Sequence, residues 1–105
     1  MKFFFGCTFM NQKELQSIGT KYPIKLEYYK TKSNNEESIN KNTAKYGIEV
    51  IKTSYTEKNV SIEKRSLPNI VKDEILIEKI LNILKTNRVT PISAEYVIED
   101  LLKAE

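Results

Sequence analysis

Histidine and tryptophan are missing from this sequence, and cysteine occurs once, at Cys7. Without histidine the usual zinc sites lose a principal ligand, and neither a Cys-His pair nor a Ser-His-Asp triad can be assembled. One thiol cannot form a disulfide within the chain, so the fold must rest on its core, which suits a reducing interior. Any metal would need oxygen ligands, and none is expected. Glycine is scarce too. Gly6, Gly19 and Gly47 lie far apart, which excludes a glycine-rich phosphate loop. No apolar run approaches the ~20 residues that cross a bilayer. The start, Phe3-Phe4-Phe5-Gly6-Cys7, imitates a leader, but one lysine precedes a short apolar run and no small-residue cleavage site follows it. A cytoplasmic protein with no membrane attachment and no cofactor is expected.

What is present suits a soluble domain. With 40% hydrophobic and 30% charged residues, 105 residues can build one core and not two, so residues 1–105 are read as one domain. The net charge of +3 is unevenly placed: residues 1–71 hold 12 Lys and Arg against 7 Asp and Glu, and residues 72–105 hold 5 against 7. The basic part is the strand region, the acidic part the helices.

Residues 1–22 should supply a strand or a short helix at an edge. The Phe-rich run is β-prone and closed by polar residues. Asn11 and Glu14 have capping-box spacing for a two-turn helix carrying Leu15 and Ile18 and stopping at Gly19. Residues 24–67 should hold three antiparallel strands. Ile24-Lys25-Leu26-Glu27-Tyr28 alternates, which turns Ile24, Leu26 and Tyr28 to the core. Residues 46–55 and 60–67 form the other two, and residues 33–44, almost wholly polar, form a loop. For Thr56-Glu57-Lys58-Asn59 the favoured turn is type I with Asn59 left-handed in a one-residue bulge, because asparagine tolerates positive φ. That register sets Val60 and Ile62 on the core face with Ile48 and Val50. It leaves Tyr29, Ile51 and Tyr55 on the other face, and Leu67-Pro68-Asn69 ends the strand.

Residues 72–105 read as a helical hairpin. Leu76, Ile80, Ile83 and Leu84 form a stripe with Ile77 and Leu81 beside it, wide enough for a sheet and a neighbouring helix. Asp73 and Glu74 suit the positive end of the first helix, Lys85 and Arg88 its negative end. Thr90-Pro91 opens the second helix, whose apolar face is Ile92, Tyr96, Val97, Ile98, Leu101 and Leu102. The fold class is α+β: a three- to four-stranded antiparallel meander covered on one face by a C-terminal helical hairpin.

Tyr46-Gly47-Ile48-Glu49-Val50, then Arg88-Val89-Thr90-Pro91 and Val97-Ile98-Glu99-Asp100-Leu101-Leu102, give the chain a family likeness. It resembles an uncharacterised domain-of-unknown-function family of small proteins from clostridium-like Gram-positive bacteria, over roughly residues 24–104. The resemblance implies a bacterial, intracellular, small single-domain protein and brings no activity or site residue.

The chemistry the residues offer is thin. Glu95, Glu99 and Asp100 could be imagined around a divalent ion, but no glycine-turned ligand loop accompanies them and a solvated acidic face explains them. Helix-turn-helix DNA binding is disfavoured because the second helix is acidic and phosphate would be repelled. Cys7, among phenylalanines, reads as a small buried hydrophobe. The leading expectation is a non-enzymatic protein-binding or regulatory module whose partner is another protein or itself, as a homodimer. It would engage through Tyr29, Ile51 and Tyr55 together with Phe3 and Phe5. The alternative is weak single-stranded nucleic-acid binding through a basic, tyrosine-bearing sheet, with Lys25, Lys30, Lys52, Lys64 and Arg65 meeting phosphates.

Overall fold

A computed structural model describes residues 1–10, 23–33, 44–56 and 58–103. The expected short helix near residues 11–19 and most of the polar loop, residues 34–43, lie outside the described residues. The elements run β1 (Lys2–Met10), β2 (Ile24–Lys32), β3 (Tyr46–Tyr55), β4 (Val60–Val71), α1 (Glu74–Thr86) and α2 (Pro91–Lys103). The sheet order is β1-β2-β3-β4 with every neighbouring pair antiparallel, and both helices lie on one face. This is the α+β architecture the patterning predicts, with the Phe-rich run resolved as a fourth, edge strand.

Alternation decides which side chains meet the helices. Leu26 and Tyr28 on β2 and Tyr46, Ile48 and Val50 on β3 are buried beneath Ile77, Ile80, Leu81 and Leu84 of α1 and Ala94 and Ile98 of α2. β1 reaches the same core through Phe5 and Met10. Phe5 does so because β1 holds one extra residue between Phe4 and Gly6, where its register with β2 slips.

The expected β3–β4 register is overturned. Thr53 faces Ile62, Ser54 faces Ser61 and Tyr55 faces Val60, so the loop has four residues and no bulge. The Thr56 hydroxyl donates to the Asn59 carbonyl at 2.8 Å and accepts from the Asn59 amide at 3.0 Å, which closes the loop without a left-handed residue at Asn59. Val60 and Ile62 therefore lie opposite the core, with Ile51 and Tyr55, and are 58% and 66% exposed.

The left-handed asparagine is Asn69, φ 56°. β4 does not end at Leu67: Pro68, Asn69 and Ile70 arch out between the Tyr46–Val71 and Ile48–Leu67 pairs. Proline is tolerated there because β4 is an edge strand. Beneath the arch sits Gly47, where a Cβ would strike the Leu67 carbonyl oxygen and meet the Pro68 Cα at 2.6 Å, so only glycine fits.

The hairpin is pinned at its caps. The Asp73 carboxylate accepts from the Ile75 amide at 2.9 Å. Past α1, Asn87 donates to the Ile83 carbonyl, and Arg88 takes the left-handed conformation (φ 52°) in which helices commonly end. The turn is then tied to the sheet, since the buried Tyr28 hydroxyl donates to the Val89 carbonyl at 2.9 Å. On α2, Pro91, Ala94 and Ile98 are the buried residues, while Ile92 and Tyr96, expected on the apolar face, are 73% and 69% exposed. Val97, Ile98, Leu101 and Leu102 meet the core as expected, so only Ile92 and Tyr96 of the expected face stand on the solvent side.

Candidate functional site

The sheet face opposite the helices carries no described element. Its side chains form cross-strand rows fixed by register: Phe9, Lys25, Thr53, Ile62; then Cys7, Glu27, Ile51, Lys64; then Phe4, Tyr29, Glu49, Ser66. Phe4 and Phe9 stand exposed at one edge and Val60 and Ile62 at the other, with Ile51, Tyr29 and Tyr55 half-buried between them. Cys7 is exposed on this face, which corrects its reading as a buried hydrophobe.

The charges among these apolar groups are mostly partnered within the sheet. Lys2 Nζ lies 2.8 Å from Glu49 Oε2 and 4.5 Å from the centre of the Tyr29 ring. Lys25 Nζ lies 3.8 Å from Glu27, which also accepts the Tyr29 hydroxyl at 2.7 Å. That hydrogen bond, with Glu27 ionised, holds the Tyr29 phenol above its ordinary pKa. Phe4 meets Tyr29 edge to face, ring centres 5.5 Å apart. The face is thus apolar with a locally compensated polar middle.

Of the residues expected to bind a partner, Tyr29, Ile51 and Tyr55 share this face. Phe3 and Phe5 do not: Phe3 lies on the helix side, with Lys30 Nζ 5.6 Å from its ring, and Phe5 packs against the core. Phe4 and Phe9 stand with the tyrosines instead, an outcome that turns on the extra residue at Phe5, for which the sequence has no visible signal.

The expected nucleic-acid set is divided between faces. Lys25 and Lys64 lie on the open face, whereas Lys30, Lys52 and Arg65 alternate to the helix side. Lys30 Nζ lies 3.4 Å from both Glu74 and Glu78, and Arg65 Nη2 lies 2.6 Å from Glu95 Oε2. Part of the basic excess of the strands therefore docks the acidic helices. The Tyr46 hydroxyl joins them, donating to Glu74 at 2.9 Å. That bond and Lys30 hold the Glu74 carboxyl below its ordinary range, and the same bond raises Tyr46.

Two hollows remain. One, of about 560 Å³, runs between β4 and α2 past Glu63, Arg65, Ile92, Glu95 and Tyr96. The other, of about 480 Å³, lies at the strand ends near Lys2, Thr31, Glu49 and Asn69. Among the described residues no three His, Cys, Asp or Glu side chains gather as metal ligands, and no buried side-chain polar atom lacks a partner. No described helix is long and apolar enough to cross a membrane.

The fold and this face define a class: an α+β domain in which helices cover one side of an antiparallel meander and no described element covers the other. The chain belongs to a family of unknown function, DUF6514, whose family model matches residues 8–104. No curated protein and no solved structure matches it.

Proposed function

We propose that this chain is a bacterial, cytoplasmic, non-enzymatic protein-binding or regulatory module that engages its partner through the open face of the sheet. One observation carries the reading: exposed Phe4, Phe9, Val60 and Ile62 surround half-buried Tyr29, Ile51 and Tyr55 while the neighbouring carboxylates are partnered within the same sheet. Covering this face would bury large apolar side chains and desolvate few isolated charges, which is what protein interfaces favour. A photo-crosslinking phenylalanine analogue at Phe9 or Ile62 tests it in the source cell. Crosslinked protein is expected from these positions and not from the exposed helix position Ile75. Equal yields from all three, or loss of the products on nuclease treatment, would count against the proposal, the latter in favour of nucleic acid.

A further inference from the structure

We infer that the occupant of the open face is a second copy of this chain, packed face to face about a two-fold axis parallel to the strands. The inference rests on the proposed use of this face and adds the partner and its orientation.

A two-fold axis along the strands keeps each cross-strand row level and reverses its order, so β1 of one copy lies over β4 of the other. The register then decides what meets what. Phe9 falls over the second copy's Ile62, bringing together two exposed apolar side chains from opposite edges of the face. In the next row Cys7 falls over the second copy's Lys64, and Glu27 lies beside that lysine. Lys64 is exposed, and no ion pair holds it among the described residues. Cation therefore meets carboxylate twice, once at each symmetric end. An axis running across the strands would instead place Glu27 over Glu27 when centred on the same row. The favoured arrangement is isologous, with the same patch on both copies, as closed dimers require.

Area agrees. Four strands about 4.8 Å apart and about nine residues long at about 3.4 Å each give a face on the order of 600 Å². Doubled over two copies this is about 1,200 Å², the lower bound for stable protein interfaces. Two such faces pack as an aligned β-sandwich, strand directions within about 30°.

Light scattering of the full chain should give twice the chain mass, falling with dilution, and Ile62→Asp should give the monomer mass with an unchanged far-ultraviolet spectrum. Orientation is read by a short bismaleimide. Within one chain positions 7 and 64 lie three strand spacings apart, about 14 Å; across the proposed interface they face each other. Lys64→Cys with native Cys7 should give a covalent dimer. The wild type, and Lys64→Cys combined with Cys7→Ser, should not, since their thiols would sit about 14 Å apart across the axis. A monomeric wild type, a dimer indifferent to Ile62→Asp, or equal crosslinking of all three proteins overturns the inference. If the wild type is monomeric but the open-face photo-crosslinker captures a different protein, this inference fails while the proposed function stands.

Discussion

At the scale of single residues, two positions decide how the sheet closes. Gly47 allows the Pro68–Asn69 arch to pass over β3, and the atoms a methyl group would strike are backbone, which cannot swing aside. Gly47→Ala should cost about 3 kcal/mol by overpacking, read as a fall in the denaturation midpoint; an unchanged midpoint would show that the arch is free to lift. Tyr28 ties sheet to helix turn through its hydroxyl. Tyr28→Phe should cost about 1 to 3 kcal/mol, because the Val89 carbonyl loses its donor in the core. Burial also pushes the Tyr28 phenol up to about 12 from an ordinary 10. The unfolded chain thus releases this proton at lower pH than the native one, so the contribution to stability is whole below pH 10 and is lost as pH rises toward 12. Tyr29 and Tyr46, raised by their carboxylate partners, act in the same direction. Unfolding midpoints from pH 9 to 12 should fall more gently in Tyr28→Phe than in the parent. Parallel curves would mean that the phenol is solvated.

At the scale of elements, helix α1 carries the core. Leu84 is fully buried under the sheet, and Leu84→Ala should cost on the order of 2 to 5 kcal/mol. Ile92→Ala, at a position 73% exposed, should fall within about 0.5 kcal/mol of the parent. Equal losses in chemical denaturation would show that α2 is turned the other way. This contrast marks how far the sequence was legible. The meander, both helices, the Asp73 and Thr90-Pro91 starts and the inward Leu26, Tyr28, Ile48 and Val50 follow from period and capping alone. The β3–β4 register did not, because Asn59 and Asn69 both tolerate positive φ and only the Thr56 hydroxyl, closing a four-residue loop, decides between them. On α2 the expected Val97, Ile98, Leu101 and Leu102 do meet the core, whereas Ile92 and Tyr96 do not, because at about 3.6 residues per turn they fall among Glu95, Glu99 and Asp100 and not beside Pro91, Ala94 and Ile98. Of the candidate site, Tyr29, Ile51 and Tyr55 were visible by alternation from the core strands. Phe4 and Phe9 were not, since the extra residue in β1 reverses the parity halfway along the strand.

At the scale of the whole molecule, the two sheet edges are unequal. β4 is blunted by the Pro68–Asn69 arch and by Glu63, Lys64 and Arg65, devices that discourage edge pairing. β1 has the Phe5 irregularity but no charged residue from Phe3 to Met10. It also contributes Phe5 and Met10 to the core and Phe4 and Phe9 to the open face, so one strand serves three surfaces. Deleting residues 1–10 would expose the β2 backbone edge, uncover the core side that Phe5 and Met10 close, and remove one edge of the open face. Light scattering and melting of that truncation should show lower solubility or an altered mass, together with a reduced midpoint. Removing residues 103–105 should change none of these. A truncation at residue 10 that keeps the parent's mass, solubility and midpoint would mean that β2 tolerates a bare edge and that the Phe-rich strand contributes to neither core nor interface.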